Sequence, residues 1–266
     1  MRRVWHNGVS YFVFEHLAEQ PSLAHAVFTR HGGVSAPPFD TLNLGGTVGD
    51  APEAVKENFR RATAALDIPP ERTATSWQVH SARALVLDRP NHEQRPPPQA
   101  DILLTNTPGV WLTMRFADCV PIFLYDPAHH AVGIAHAGWR GTLAGAARAA
   151  VAAMGEAFGC RPADLLVGIG PAIGPCCYRV GPEVVGAFHR AFGDVACAWW
   201  RQTERGGLYL DLWEANRWQL AVAGVRYIEV AGLCTADLRH DFFSHRAEGG
   251  RTGRFGAIIG LRQSHG

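Results

Sequence analysis

Between Cys119 and His136 the sequence reads as a β-hairpin. A strand over Val120–Tyr125 leads into the turn signature Asp126-Pro-Ala-His129, and a return strand covers Ala131–His136. Proline at the second position is what a type I turn favours. Pairing residue 126 with 129 sets the register, and that register places Cys119 directly opposite His136, with Cβ atoms roughly 4.5–5.5 Å apart. A thiolate and an imidazole at that separation suit a shared zinc ion, with Zn–S near ~2.3 Å and Zn–N near ~2.0 Å. The hairpin alone is also compatible with two polar residues that merely end neighbouring strands. After His136 comes Ala137-Gly-Trp-Arg-Gly-Thr142 and then an Ala-rich helix. A glycine-rich strand-to-helix turn presents backbone N–H groups to an anion, which makes Gly138 and Arg140 candidate phosphate contacts. The Lys-Ser/Thr ending of a Walker loop is absent.

The elements that must hold these residues are legible as alternating strands and helices. Strands are expected at Val9–Phe14, Ala84–Leu87, Val110–Arg115, Leu165–Ile169, Tyr227–Val230 and Ala257–Leu261, besides the hairpin. Several are nearly all apolar and so should be covered on both faces. Asp50-Ala-Pro-Glu53 and Asp211-Leu-Trp-Glu214 are helix starts, each with an Asp cap and a Glu three residues on. Leu143, Ala146, Ala147, Ala150, Val151 and Met154 form one apolar stripe of a third helix, and Pro182–Phe192 forms a fourth. The Pro-rich stretch 91–99 reads as an exposed connector inside the domain, because a strand-like segment resumes at Asp101. With no repeat and no shift of composition, the chain reads as a single domain over 1–266, an α/β fold with a mixed sheet covered by helices.

The bulk numbers narrow the function classes. There are 25 Lys plus Arg against 24 Asp plus Glu, which leaves no electrostatic footprint for nucleic acid. No apolar run reaches the length of a membrane span, and the N-terminus lacks a signal-peptide pattern, so a soluble, cytoplasmic protein is expected. The six cysteines contain no C-x-x-C pair and are expected as free thiols, all but Cys119 packing as small hydrophobes. Trp199 and Trp200 are expected in the core, and nothing points to a protein partner.

A set of further segments carries a resemblance: Phe28-Thr-Arg-His-Gly-Gly-Val-Ser35, Leu42-Asn-Leu-Gly45, Val48-Gly-Asp50, Gln78-Val-His80, Ala117-Asp-Cys-Val-Pro121, Ala135-His-Ala-Gly-Trp-Arg-Gly141, Ile169-Gly-Pro-Ala-Ile-Gly174, Cys177-Tyr178, Cys234-Thr235, Phe242-Phe-Ser-His-Arg246 and Thr252-Gly-Arg254. In this order they resemble the YfiH/YlmD-like family, whose members are described variously as laccase-domain polyphenol oxidases, purine nucleoside phosphorylases and peptidoglycan editing factors. The resemblance runs from about residue 25 to the C-terminus. It implies a four-layer arrangement around mixed sheets, similar to some toxin deamidases, and it implies that His80 is the third metal ligand beside Cys119 and His136. It further implies phosphorolysis of adenosine, inosine and methylthioadenosine, together with adenosine deamination. Arg179 departs from the family, which usually carries Glu there.

Three protein ligands with one open position describe a catalytic zinc site. The absence of H-x-E and P-C-x-x-C motifs sets the chain apart from cytidine-type zinc deaminases, so deamination needs another proton shuttle. Asp118 is a candidate, with hydrogen bonding to turn backbone as its plainer role. Arg30, Arg140, Arg246 and Arg254 are candidates for phosphate, each also readable as a solvated or structural Arg. Ser35 and Asn43 suit a pocket lining as well as a turn. Gln78 on a strand would face the same side as His80, to touch substrate or orient the ligand.

Two rival chemistries stay open. A His2Cys set with a weak axial Met suits copper, with Met114 nearest in sequence and a phenol-oxidising laccase as the outcome, although no H-x-H pair occurs among the 13 His. Cys119 and His136 without metal would be a nucleophile–base pair of a hydrolase, one route to peptidoglycan precursor editing.

Overall fold

The computed structural model describes residues 1–263. Val120–Asp126 and Ala131–Ala137 are buried along their whole length, as strands covered on both faces must be. They lie at the centre of a six-stranded sheet whose spatial order is Tyr227–Val230, Leu166–Ile169, Val120–Asp126, Ala131–Ala137, Ile102–Thr105, Ala84–Val86. Its inner pairs are antiparallel and the pair at each edge is parallel. A second six-stranded sheet runs Arg2–His6, Val9–Val13, Leu23–Phe28, Phe255–Leu261, Trp111–Phe116, Thr73–Ala74, parallel only at its last pair.

The two sheets face each other. Val27, Phe116 and Ile259 of one share an apolar cluster with Phe123, Val132 and Ile134 of the other. Truncating a ring such as Phe123 in that layer to Ala would cost about 3–5 kcal/mol, because the close-packed sheets cannot collapse into the hole. Outside the second sheet, Tyr11, Ala26 and Ile258 pack beneath Ala62 of the helix Pro52–Ala64. Outside the first, Ile122, Leu124 and Ala135 pack beneath Ala147 and Met154 of Ala146–Phe158, with Phe188 of Pro182–Phe192 and Leu220 of Leu212–Val222 in the same cluster. The result is helix, sheet, sheet, helices, the expected α/β sandwich of mixed sheets in four layers. Trp199 is buried as expected, and Trp200 is half-buried. No helix among the described residues is long and apolar enough to cross a membrane.

Three local expectations fail for identifiable reasons. Asp211 does cap its helix, accepting from the Glu214 N–H at 3.0 Å. Asp50 does not: Ala51 is the cap residue, and the Asp50 carboxylate turns instead onto Ser35 Oγ at 2.6 Å and Asn43 Nδ2 at 2.8 Å. The Ala-rich helix is split, because Gly145 adopts φ 82 between Trp139–Leu143 and Ala146–Phe158, so Leu143 belongs to the earlier piece.

The hairpin register also differs. Asp126 pairs with Ala131, and Pro121 pairs with His136. The Asp126 carboxylate accepts from the N–H groups of Ala128 (2.8 Å) and His129 (3.1 Å), which holds the chain open for two more residues before it closes. Side chains alternate with period two, so a two-residue shift preserves the face. Cys119 and His136 therefore remain on one side, offset along the strands rather than directly opposite.

Candidate metal centre

The centre is organised by a residue whose own side chain faces no cavity. Asp101 is fully buried at the start of Ile102–Thr105. The chain from Val79 to Ser81 wraps around its carboxylate, donating three successive N–H groups at 3.2, 3.0 and 2.7 Å, and Ser81 Oγ adds a fourth donor at 2.7 Å. That wrap requires left-handed backbone at His80, with φ 61, and successive N–H groups so arranged form a natural anion cradle. The same carboxylate accepts from Nδ1 of His136 at 2.9 Å. An acceptor-only carboxylate fixes the Nδ1 proton and leaves Nε2 of His136 as the coordinating nitrogen.

Cys119 enters from the other side. It follows Asp118, which adopts φ 84 and so turns the chain into the strand. One ligand atom each from His80, Cys119 and His136 lie within 4.8 Å of one another. Gly138 closes the floor: a Cβ there would stand 2.7 Å from Cys119 Sγ and 3.3 Å from His80 Nδ1, so only glycine leaves the donors their space. Burial raises the Cys119 thiol, but the charges and hydrogen bonds of His136 and His80 prevail and bring it down to about 6. Burial likewise lowers His136, yet the Cys119 thiolate and Asp101 carry it up to about 9. For Asp101, burial is outweighed by the bonds from His136 and Ser81, which hold it down at about 2. These directions favour a thiolate at Cys119 beside an imidazolium at His136, backed by the Asp101 carboxylate. A cation that replaces the imidazolium proton meets a donor set already charged for it.

The trio lines a cleft of about 1250 Å³, and His80 and Cys119 also border a small cavity of about 90 Å³. Of the expected phosphate contacts, Arg140 lines the small cavity, stacked on Trp139 with its guanidinium carbon 4.3 Å from the ring centroid. Gly138 lines the same small cavity and Arg254 the cleft, while Arg30, Ser35, Asn43 and Arg246 are engaged elsewhere. Arg30 bonds to Asp40, Glu248 and the carbonyl of Arg239, and lines neither cavity. Ser35 and Asn43 form a buried knot with Asp50 and Asn58. Arg246 lies over Tyr178 and donates to the carbonyl of Arg179. Gln78 borders the cleft but is on no strand; its amide clamps the backbone of Arg115 at both ends, 2.8 and 3.0 Å. Both carboxylate oxygens of Asp118 are taken, by Thr235 Oγ1 and by the Arg246 N–H, each at 2.7 Å. Met114 is buried between the sheets and lines neither cavity.

Sequence reading misses Asp101 and Arg115, and names Arg254 as one phosphate candidate among four. Arg115 and Arg254 line the cleft, and neither has a carboxylate partner among the described residues. Arg115 is anchored by the Leu44 carbonyl and Thr75 Oγ1, Arg254 by the carbonyls of Thr252 and Gly253. Desolvation lowers the pKa of both; Arg95 adds to this at Arg115, whereas the charges of Cys119 and Asp118 oppose it at Arg254. The Pro-rich connector contributes His92, Arg95 and Pro97 to the cleft wall, a role that its composition does not announce.

Residues 24–262 match the family model described as multi-copper polyphenol oxidoreductase laccase. The purine nucleoside phosphorylase YlmD of Geobacillus stearothermophilus is 44% identical over 243 residues, covering 88% of this chain and 89% of that protein. The purine nucleoside phosphorylase YfiH of Escherichia coli is 37% identical over 234 residues, covering 88% and 91%. The crystal structure of YfiH from Bacillus licheniformis superposes with a TM-score of 0.89 at 35% identity, covering 96% of this chain and 97% of that one. A match of this extent, joined to the same fold, shows that the chain belongs to the YfiH/YlmD family of laccase-type polyphenol oxidoreductase proteins.

Proposed function

We propose that this chain is a zinc-dependent purine nucleoside phosphorylase acting on adenosine, inosine and methylthioadenosine, with adenosine deamination as a second activity, in the cytoplasm. The observation that carries the reading is one cleft lined by the His80–Cys119–His136 trio and by two half-buried guanidiniums, Arg115 and Arg254, that have no carboxylate partner in direct contact among the described residues. A cleft of about 1250 Å³ has room for a nucleoside and phosphate together. The family relatives are named for this activity, and six free cysteines suit a reducing compartment. The inter-sheet cluster draws on residues from Phe14 to Leu261, which supports one catalytic domain.

Two imidazoles and a thiolate are a donor set that zinc accepts readily, and three ligands leave a position open. Zinc held there by His80, Cys119 and His136 would supply Lewis acidity to the cleft. Asp101 orients His136 and fixes its proton at Nδ1. Arg115 and Arg254 bind phosphate through charge-assisted hydrogen bonds. In phosphorolysis a phosphate oxygen bonds to the ribose anomeric carbon as the glycosidic C–N bond breaks, and the base leaves with a proton. Asp118, with both oxygens engaged, positions Cys119 and the Arg246 loop. Arg30, Ser35 and Asn43 support the cleft from behind.

One observation favours a second reading. Cys119, His136 and Asp101 in series form a nucleophile, base and orienting acid, the arrangement of a cysteine hydrolase. Incubation of purified protein with adenosine and phosphate, alongside metal analysis, separates the readings. Adenine with ribose 1-phosphate and one zinc at the trio supports the phosphorylase, and inosine supports deamination. Stoichiometric copper with phenol oxidation supports the laccase. Turnover that survives chelation but not thiol alkylation supports the hydrolase.

A further inference from the structure

Four more ligand-type side chains meet on the far side of Asp118. One atom each from Cys176, Cys177, Cys234 and Asp237 lie within 4.8 Å of one another. Asp237 accepts from the Cys176 and Cys177 thiols, each at 3.0 Å, and Cys234 Sγ accepts from the Gly174 N–H at 3.2 Å. All three cysteines are free. A buried free thiol usually packs as a small hydrophobe, and that account suits Cys160 and Cys234. It does not suit Cys176, which is exposed although it was expected to pack in this way; Cys177 is half-buried against the core.

We propose that Cys176, Cys177, Cys234 and Asp237 form a second metal site, separate from the His80–Cys119–His136 centre, that takes a thiophilic divalent ion of the zinc type. Three sulfurs and one carboxylate oxygen complete four-coordination from the protein alone, the mark of a structural site rather than a catalytic one. Cys234 provides a dry back wall, and the exposed Cys176 and Asp237 give the ion a path in. Binding releases the three thiol protons to solvent, and three thiolates with one carboxylate over-neutralise a divalent charge by two. Arg201 sits close by, its guanidinium donating to the Pro175 carbonyl at 3.3 Å beside Cys176.

The position gives the ion a consequence. The ligands come from two loops, one running on from Ile173 and the other beginning at Cys234. Those loops grip Asp118 from two directions: the Ile173 N–H donates to its carbonyl at 2.9 Å, and Thr235 Oγ1 donates to its carboxylate at 2.7 Å. An ion that staples the loops together therefore stiffens the support behind Cys119.

The test needs no turnover. Metal-stripped protein is loaded with zinc alone, freed of excess ion, and analysed for metal and for alkylation by iodoacetamide, mapped by mass spectrometry. Two zinc ions per chain are expected in the unaltered protein, and one in a His80→Ala/His136→Ala variant. Adding Cys176→Ser and Asp237→Asn to that variant should remove the remaining ion. In the unaltered protein zinc should slow alkylation of Cys176 and Cys177 by at least about tenfold, while the exposed Cys197, outside the cluster, reacts as before. Retention of no zinc by His80→Ala/His136→Ala, or equal alkylation of Cys176 and Cys177 with and without zinc, overturns the proposal. A disulfide among the three thiols in freshly purified protein overturns it as well. The alkylation readout requires no substitution and stands even if a variant fails to fold.

Discussion

Asp101 Oδ1 lies 2.9 Å from Nδ1 of His136 and 3.0 Å from the backbone N–H of His80, so one buried oxygen locates two of the three donors of the metal centre. Such an outer partner fixes ring orientation and raises ligand basicity, and losing it commonly weakens metal binding about 10–100-fold. Asp101→Asn keeps the size and one acceptor while removing the charge. We expect zinc affinity, read by chelator competition, to fall by that order, with phosphorolysis falling in parallel. A variant that binds zinc as the unaltered protein does would show that the pairing is structural only.

Gly138 tests the floor of the centre. The Cβ of Gly138→Ala would stand 2.7 Å from Cys119 Sγ, too close for either atom to stay in place. The backbone at Gly138 has φ −74, which alanine adopts freely, so the fold should survive. The expected outcome is zinc affinity reduced by at least about tenfold with an unchanged circular dichroism spectrum. Full zinc occupancy in Gly138→Ala would mean that the trio is not the ligand set.

Arg254 tests the phosphate half of the cleft. A hydrogen bond to a charged group contributes about 1.5–3 kcal/mol, which is roughly 10- to 150-fold in affinity. Arg254→Gln retains donors for the carbonyls of Thr252 and Gly253 and removes the charge. The KM for phosphate should rise by that factor while the KM for nucleoside changes far less. An equal rise in both would place Arg254 in support of the cleft rather than on the anion.

The contrast between these residues shows where sequence is informative. The hairpin of Cys119 and His136 is legible because its strands are unbroken apolar runs around an Asp-Pro turn. Its register is not, since the extra turn residues follow from side-chain bonds of Asp126 that composition does not signal. Asp101 is hidden because a single Asp before a strand looks like any turn residue; its role arises from three N–H groups of Val79–Ser81 and a left-handed His80. Arg115 is hidden within a strand that otherwise reads as core. Leu23–Phe28 escapes notice because two alanines and His25 dilute its apolar pattern, although every residue in it is buried.

That same His25 gives the protein a predictable acid response. Its Nε2 accepts from the Phe14 N–H at 2.8 Å, and its ring lies against Phe14 and Phe123. Burial holds its pKa down at about 3, with a smaller contribution from His16. Protonation would charge a dry site and convert the acceptor into a donor facing an N–H. In the unfolded chain a histidine titrates near ~6.5. Between those two values the unfolded state binds the extra proton, so the stability due to neutral His25 is present above about pH 6.5 and is lost as pH falls toward 3. Each pH unit in that window removes about 1.4 kcal/mol. His25→Gln keeps an acceptor for Phe14 and removes the titration. Urea unfolding at pH 7 and pH 4.5 should show the unaltered protein losing about 2–3 kcal/mol more than the variant over that interval. Equal losses would mean that His25 is already protonated in the folded state, and that the buried acceptor assigned to it is wrong.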